Sequence, residues 1–159
     1  MSSKTYNPLQ YSFIPVLLEY FRCTTGPVLE MGMGESSTLM LHELCRNRGL
    51  VSYEDNLDWY QRFAKYKTPW HETHLVEDWD AIDIEKPWDL AFVDHAPAIR
   101  RRFDITRLRH HARFIVVHDT EPGVDRFYRY RPVFADFKYQ RTFDEVTPWT
   151  TVLSMTVQP

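Results

Sequence analysis

The chain has 159 residues, of which 43% are hydrophobic and 26% are charged, and its formal net charge is −3. This composition is typical of one folded domain and excludes a disordered, collagen-like or low-complexity chain. The longest apolar run, residues 13–18, is interrupted by Pro15 and fits no membrane span, and the N-terminus has no signal-peptide core. Cys23 and Cys45 lack metal-ligand spacing, so we expect two reduced core thiols in a cytoplasmic protein.

Apolar periodicity along the chain predicts an alternation of helices and strands. Three predicted helices cover 9–22, 97–108 and 123–131. A fourth is capped by Ser36 and Ser37 and closed by Gly49, and a fifth is capped by Asp55 or Asn56. The predicted strands cover 28–31, 50–53, 73–76, 90–93 and 113–117, followed by two extended stretches at 137–143 and 150–157. The pattern predicts an α/β fold: a doubly wound, mostly parallel sheet in three α/β/α layers, with a C-terminal antiparallel hairpin.

Polar residues follow each of the five predicted parallel strands. Sheets of this type bind ligands at the carboxyl ends of their strands, near the switch in strand order. The segments at these ends are Glu30–Gly34, Glu54–Asn56, Glu77–Trp79, Asp94–His95 and His118–Thr120. Polar groups often follow apolar strands, but five such segments in register predict a single site along this edge.

Glycines are concentrated after the first predicted strand. Gly32 and Gly34 stand between that strand and a helix, so that backbone amides can approach a ligand at the helix N-terminus. A dinucleotide fingerprint has a third glycine where this chain has Ser37. Glu35 would repel a pyrophosphate and favours a ligand with positive charge. A tight turn with no ligand is the alternative.

The ordered set of motifs resembles one enzyme family. Glu54 follows the second strand at the distance from Gly32 that is expected of a carboxylate binding ribose hydroxyls. The motifs are Glu30-x-Gly32-x-Gly34-x-Ser36-Ser37, the segment 51–60, Phe92-Val93-Asp94-x-Ala96 and Ile115-Val116-Val117-His118-Asp119-Thr120. Together they resemble class I S-adenosylmethionine-dependent methyltransferases of the small-molecule O-methyltransferase branch, over residues 26–122.

The resemblance implies a Rossmann-like methyltransferase fold in a single domain over 1–159, with an N-terminal helical segment (1–25), a cofactor-binding core (26–136) and a terminal strand pair (137–159). It implies S-adenosylmethionine as the cofactor. The implied cofactor-binding residues are Glu30, Gly32, Gly34, Ser36, Ser37, Glu54, Asp55, Asp78, Trp79 and Asp94. Glu30 would face the ammonium group or a bridging water, Glu54 the ribose, and Asp78 and Trp79 the adenine. An ordinary core or rim aromatic is the alternative for Trp79.

The resemblance also implies where catalysis would occur. In metal-dependent members, carboxylates after the fourth and fifth strands hold a divalent cation, and Asp94 and Asp119 occupy those places, where Mg²⁺ would accept them. The pattern departs from the family because Thr120 stands where a further ligand is usual. Without a metal, His118 or His95 could serve as a general base near Asp94. A hydrogen-bonded, silent His118 is the alternative.

The resemblance implies methyl transfer from S-adenosylmethionine to an oxygen of a small-molecule acceptor. One alternative is a non-catalytic or oligomer-dependent binding module, because little chain remains beyond the core to cover a substrate; a homo-oligomer would complete such a site. An NAD-dependent oxidoreductase is disfavoured by Ser37 and Glu35. We expect neither a membrane nor nucleic acid as a partner.

A nucleic-acid methyltransferase remains an alternative because residues 100–131 hold nine arginines against four acidic residues. The arginines of the helix predicted there are Arg100, Arg101, Arg102, Arg107 and Arg109. We expect them to be solvated or to pair with the acidic stretch from Glu72 to Asp94.

Overall fold

The computed structural model describes residues 11–159, and the start of the helix predicted over 9–22 lies outside the described residues. The helices are α1 (Phe13–Arg22), α2 (Ser37–Leu44), α3 (Leu57–Phe63), α4 (Arg101–Leu108), α5 (Asp125–Tyr128) and α6 (Tyr130–Phe134). The strands are β1 (Val28–Met31), β2 (Leu50–Glu54), β3 (His71–Leu75), β4 (Trp88–Val93), β5 (Ala112–His118), β6 (Tyr139–Phe143) and β7 (Thr150–Ser154).

All seven strands belong to one sheet in the order β3-β2-β1-β4-β5-β7-β6. The first five are parallel, and β7 pairs antiparallel with both β5 and β6. The strand order reverses between β1 and β4, where Met31 pairs with Val93. The predicted doubly wound sheet and its C-terminal hairpin are therefore confirmed, and the switch point brings the loops after β1 and β4 together.

Each face of the sheet carries its own apolar cluster. On one face, Phe13, Val16, Leu17 and Tyr20 of α1 pack with Leu41 of α2 and with residues of the central strands. On the other face, α4 and α6 pack against the alternate side chains of β1, β4 and β5. Since side chains alternate along a strand, both faces of a central parallel sheet must be apolar and covered. The sheet therefore lies between two helical layers, as the three-layer α/β/α prediction requires.

Two predicted helices in the second half of the chain differ in their bounds. The helix predicted over 97–108 begins at Arg101, after a 3₁₀ turn at 98–100. The segment predicted as a helix over 123–131 is broken into α5 and α6, because Arg129 has a left-handed backbone with φ of 55°. Cys23 is exposed and Cys45 buried, so only the second of the two is a core thiol.

The predicted caps are also partly corrected. Asn56, rather than Asp55, caps α3 by accepting a hydrogen bond from the N–H of Trp59 at 3.0 Å. Ser36 stands at the N-cap of α2, but its side chain makes no capping hydrogen bond. Helix α2 ends at Leu44, so Gly49 is not its C-cap and lies instead in the turn before β2.

No helix within residues 11–159 is long and apolar enough to span a bilayer. The helix α1 has ten residues, whereas a spanning helix needs about 20.

Gly32 is required by its backbone conformation and by its packing. Its φ is +93°, and a Cβ there would lie 2.7 Å from the backbone N and Cα of His95. Its N–H donates to the carbonyl of Tyr53 at 2.9 Å, and the N–H of Asp94 donates to the carbonyl of Met31 at 2.8 Å. This glycine therefore lets the loops after β1 and β4 touch.

We expect Gly32→Ala to destabilise the protein more than Gly49→Ala. Gly49 also has a positive φ, +77°, but apart from its chain neighbours no atom of residues 11–159 lies within 4 Å of its missing Cβ. The left-handed backbone alone costs an L-residue about 1–2 kcal/mol, and the contact with His95 adds about 1–3 kcal/mol of overpacking to Gly32→Ala only. Urea denaturation measures both variants. Equal losses would show that the contact with His95 is unimportant.

Candidate functional site

A cleft of about 380 Å³ lies at the carboxyl ends of β1, β4 and β5. The loop between β1 and α2, here called the glycine loop (residues 32–36), forms one wall, and the ends of β4 and β5 form the facing wall. The start of α1, Trp59 and Pro148 complete its rim. The predicted site residues that line it are Gly34, Ser36, Ser37, Asp94, His118 and Asp119.

Glu54 and Trp59 hold both main-chain groups of Met33 in the glycine loop. Glu54 accepts hydrogen bonds from the N–H groups of Met33 and Asn56, each at 2.9 Å. The indole N–H of Trp59 donates to the carbonyl of Met33. Burial raises the pKa of Glu54, although its two backbone donors oppose the shift. Glu54 thus fixes the loop, and its contact with a ribose stays a prediction.

Glu30 does not reach the cleft. Its side chain is fully buried and accepts hydrogen bonds from the hydroxyls of Thr38 at 3.0 Å and Ser52 at 2.6 Å. Thr38 in turn accepts the N–H of Gly34 at 2.9 Å. The prediction that Glu30 faces the cofactor's ammonium group is corrected, because the strand directs this carboxylate under α2, where it supports the glycine loop from below.

The residues predicted to border the nucleoside lie outside the cleft. Trp79 is buried, its ring centroid lies 4.2 Å from that of His95, and its indole N–H donates to Asp55 at 3.3 Å. Asp78 is exposed and accepts the N–H of Asp80 at 2.9 Å within its own turn. Trp79 thus packs in the core near the ends of β2 and β4, and its contact with an adenine stays a prediction.

His95 is also removed from the cleft, which corrects its prediction as a general base. Its side chain is buried beneath Trp79, and its Nε2 lies 3.0 Å from Oδ2 of Asp104. Burial lowers the pKa of His95, although Asp104 opposes the shift. Its Nδ1 has no hydrogen-bond partner within residues 11–159. His95 therefore positions α4 rather than a substrate.

Asp94, His118 and Asp119 come together at the centre of the cleft wall. Nδ1 of His118 lies 3.4 Å from Asp94 Oδ1 and 3.7 Å from Asp119 Oδ1. On the other side of the ring, Ser12 donates its proton to the carbonyl of Pro148 at 2.6 Å, so its oxygen accepts the Nε2–H of His118 at 3.2 Å. The proton of a neutral His118 thus resides on Nε2, and Nδ1 faces the two carboxylates.

Two opposing effects set the pKa of His118. Burial lowers it, but the hydrogen bond to Asp94 and the charges of Asp94 and Asp119 outweigh burial, so the pKa is raised above its ordinary value. The imidazole therefore holds its proton to a higher pH than an isolated histidine.

Arg101 is the site residue that sequence reasoning missed. Its guanidinium is buried and contacts Asp94 Oδ1 at 3.0 Å and Asp119 Oδ2 at 3.1 Å. It also donates to the main-chain oxygens of His95 at 2.6 Å and His118 at 3.2 Å. Helical spacing carried the signal, because Arg101 lies four and seven residues before Ile105 and Leu108 and so shares their buried face.

Two other arginines in and just before α4 behave differently. Arg100 pairs with Asp80 at 2.7 Å and Arg107 with Glu85 at 2.6 Å, both within the acidic stretch. Asp104 binds both of these arginines. The expected pairing with the acidic stretch therefore holds for these two residues.

The carboxylates do not fit a divalent cation in this arrangement. Asp94, His118 and Asp119 each offer one ligand atom, all within 4.8 Å of one another. However, the guanidinium of Arg101 binds one oxygen of each carboxylate and already supplies the positive charge between them. Mg²⁺, which needs a near-octahedral set of oxygens, would find one oxygen of each carboxylate already paired with a cation.

Comparison with solved structures supports the fold. The N-terminal domain of human METTL16 in complex with SAH gives a TM-score of 0.68 at 11% identity, over 96% of this chain and 72% of that chain. A Klebsiella pneumoniae protein described as a "putative O-methyltransferase" gives a TM-score of 0.68 at 14% identity, and the match covers 100% of this chain and 84% of that chain. The METTL16 catalytic domain in complex with MAT2A 3′UTR hairpin 1 gives a TM-score of 0.64 at 10% identity, and the match covers 97% of this chain and 73% of that chain.

No protein-family model matches the sequence, and no curated protein is similar to it. The likeness to these structures therefore concerns the fold. The chain has the Rossmann-like fold of class I methyltransferases.

We expect Arg101→Met to lower the free energy of unfolding by about 3–5 kcal/mol, because it leaves two carboxylates without their shared partner. Arg102→Met is the matched control on the more exposed neighbouring position, where a change within about 0.5 kcal/mol is expected. Chemical denaturation measures both. A loss from Arg101→Met as small as that of the control would contradict the central role of the guanidinium.

The same variant tests the metal. We expect Mg²⁺ to raise the melting temperature of Arg101→Met more than that of the unaltered protein, because the substitution frees one oxygen of each carboxylate. If Mg²⁺ raises the melting temperature of the unaltered protein more than that of Arg101→Met, the result would support the predicted metal site.

Proposed function

We propose that this chain binds S-adenosylmethionine in the cleft and transfers its methyl group to an oxygen of a small-molecule acceptor. The observation that carries the proposal is that the glycine loop faces Asp94, His118 and Asp119 across one cleft at the switch point of the sheet. Ligands of such sheets bind at this position, and the neighbours in fold are methyltransferases.

The two walls of the cleft suit the two charges of the cofactor's amino-acid end. The amino end of α2, with Ser36 and Ser37, would receive its carboxylate, since helix N-termini favour anions. Asp94, about a quarter exposed, would accept its ammonium group. We propose that Trp59, which borders the cleft beside Glu54, takes the adenine in place of Trp79.

His118 would remove the proton of the acceptor hydroxyl. Because its Nε2–H is held by Ser12, Nδ1 is the atom available on the cleft side. The bound cofactor supplies an electrophilic methyl group. Arg101 keeps Asp94 and Asp119 in place beside the imidazole, so the imidazolium formed by proton transfer is stabilised by both carboxylates.

A nucleic-acid acceptor is the second candidate, and two arginine–phenylalanine pairs on the surface favour it. Arg102 lies 4.6 Å above the ring of Phe103 and Arg126 lies 4.5 Å above the ring of Phe127, and both rings are about half exposed. Exposed aromatic rings with arginines are suited to stacking on nucleobases.

Isothermal titration calorimetry with S-adenosylhomocysteine tests cofactor binding. We expect saturable binding that Asp94→Asn weakens about 10-fold to 100-fold, the worth of one charge-assisted hydrogen bond of about 1.5–3 kcal/mol. Asp83→Asn, which alters an exposed carboxylate, is the control and should leave the affinity unchanged. Absence of binding at millimolar ligand would overturn the proposed function.

Methyl transfer to an oxygen acceptor is expected to speed up as pH rises through the raised pKa of His118, because only the neutral imidazole accepts a proton. His118→Asn should abolish this rise and lower kcat by about 10²–10⁴, whereas His110→Asn, at an exposed position, should not. The measurement is transfer of labelled methyl groups to a panel of phenols and hydroxy acids.

Structured RNA, assayed at low and high salt, forms the second arm. The second candidate, a nucleic-acid acceptor, would be favoured if the RNA is labelled and no small molecule is. The yield of labelled RNA should then fall as the salt concentration rises.

A further inference from the structure

A chain of buried polar side chains runs beneath α2 and takes no part in the cleft wall. Glu30, Ser52 and His71 are fully buried on three neighbouring strands, and His42 of α2 is 9% exposed. Glu30 and Ser52 are partners in the register of β1 and β2. The chain therefore links the centre of the sheet to the inner side of α2.

The hydrogen bonds fix the protons of this chain in one direction. Ser52 donates to Glu30 Oε2 at 2.6 Å, so its oxygen accepts from Nε2–H of His71 at 2.9 Å. A neutral His71 then offers Nδ1 as an acceptor, and Nδ1–H of His42 donates to it at 3.1 Å. When Glu30 is ionised, every bond of the chain points toward it.

Glu30 connects this chain to the glycine loop through Thr38. The hydroxyl of Thr38 lies 3.0 and 3.1 Å from the two carboxylate oxygens and donates to them, so that its lone pair remains free for the N–H of Gly34. A protonated Glu30 must itself donate to Ser52 or to Thr38. Either change reorients a hydroxyl that the ionised form holds, and the Gly34 amide is bound to one of these hydroxyls.

The surroundings make this carboxylate sensitive near neutral pH. Burial raises the pKa of Glu30 to about 7, and the charge of Glu54 on β2 acts in the same direction. Cys45, directly after α2, also interacts with Glu30, but burial raises the pKa of that thiol to about 12, so it stays neutral. Burial and His42 lower the pKa of His71 to about 4, so His71 remains the neutral donor that the chain requires.

We propose that Glu30 is a positioning residue whose charge, stabilised by Ser52, His71 and His42, sets the glycine loop and makes cofactor binding respond to pH. The inference rests on the proposed function for the identity of the ligand, and on the hydrogen bonds alone for the coupling between Glu30 and the Gly34 amide. The direction follows from the geometry: ionised Glu30 holds Thr38 as a donor, so affinity should rise with pH.

The first experiment follows the Gly34 amide by NMR between pH 5.5 and 8.5 without any ligand. We expect an inflection of its chemical shift near pH 7 that Glu30→Gln removes. Ser52→Ala should move the inflection upward by about one pH unit, since it deletes a hydrogen bond to the charged form. Thr73→Val is the matched control, because this buried hydroxyl on β3 has no hydrogen-bond partner within residues 11–159.

The second experiment repeats the S-adenosylhomocysteine titration over the same pH range. Affinity should rise several-fold across the inflection in the unaltered protein and in Thr73→Val, and should not vary with pH in Glu30→Gln. An inflection that survives in Glu30→Gln, or one that Ser52→Ala leaves in place, would overturn the inference. Failure of the proposed function would show differently, as a normal Gly34 inflection without any ligand binding.

Discussion

The buried guanidinium of Arg101 is the interaction on which the geometry of the cleft depends. It joins the side chains that follow β4 and β5 and the main-chain oxygens of His95 and His118 at the same strand ends. Two carboxylates on adjacent strands would otherwise repel each other in a partly desolvated wall. Asp119 also has a left-handed backbone, φ 58°, which the contacts of its carboxylate with Arg101 and Tyr128 help to maintain.

This arrangement divides the cleft into two unequal parts. The wall around Asp94 and the glycine loop is open to a ligand, whereas the region between the ends of β2 and β4 is filled by Trp79 packed on His95. Large aromatic side chains bury much area, so vacating that region would be costly. The part of the cleft that remains open beside the glycine loop is the rim near Trp59.

The sequence predicted the position of a site residue correctly where the direction of its side chain follows from its place in a strand or helix. Apolar runs and the strand-end rule brought Asp94, His118 and Asp119 to one edge without any knowledge of contacts. The same rule failed for Glu30, because a residue inside a strand points to a face and not past the strand end. It failed for His95, and Trp79 lies outside the cleft, because a loop after a strand can fold back onto the sheet. The positive charge of Arg101 favoured an exposed position, although its helical spacing with Ile105 places it on the buried face of α4.

The position of β7 has a consequence for the way the molecule is assembled. This last strand lies between β5 and β6, so β6 is synthesised before the strand that will hold it. Until β7 is added, β5 presents an unpaired edge, the kind of edge that invites association between chains. The rim of the cleft closes equally late, since Ser12 meets Pro148, a contact between residues 136 positions apart. A chain emerging from the ribosome thus has most of its sheet before the rim of the cleft is complete.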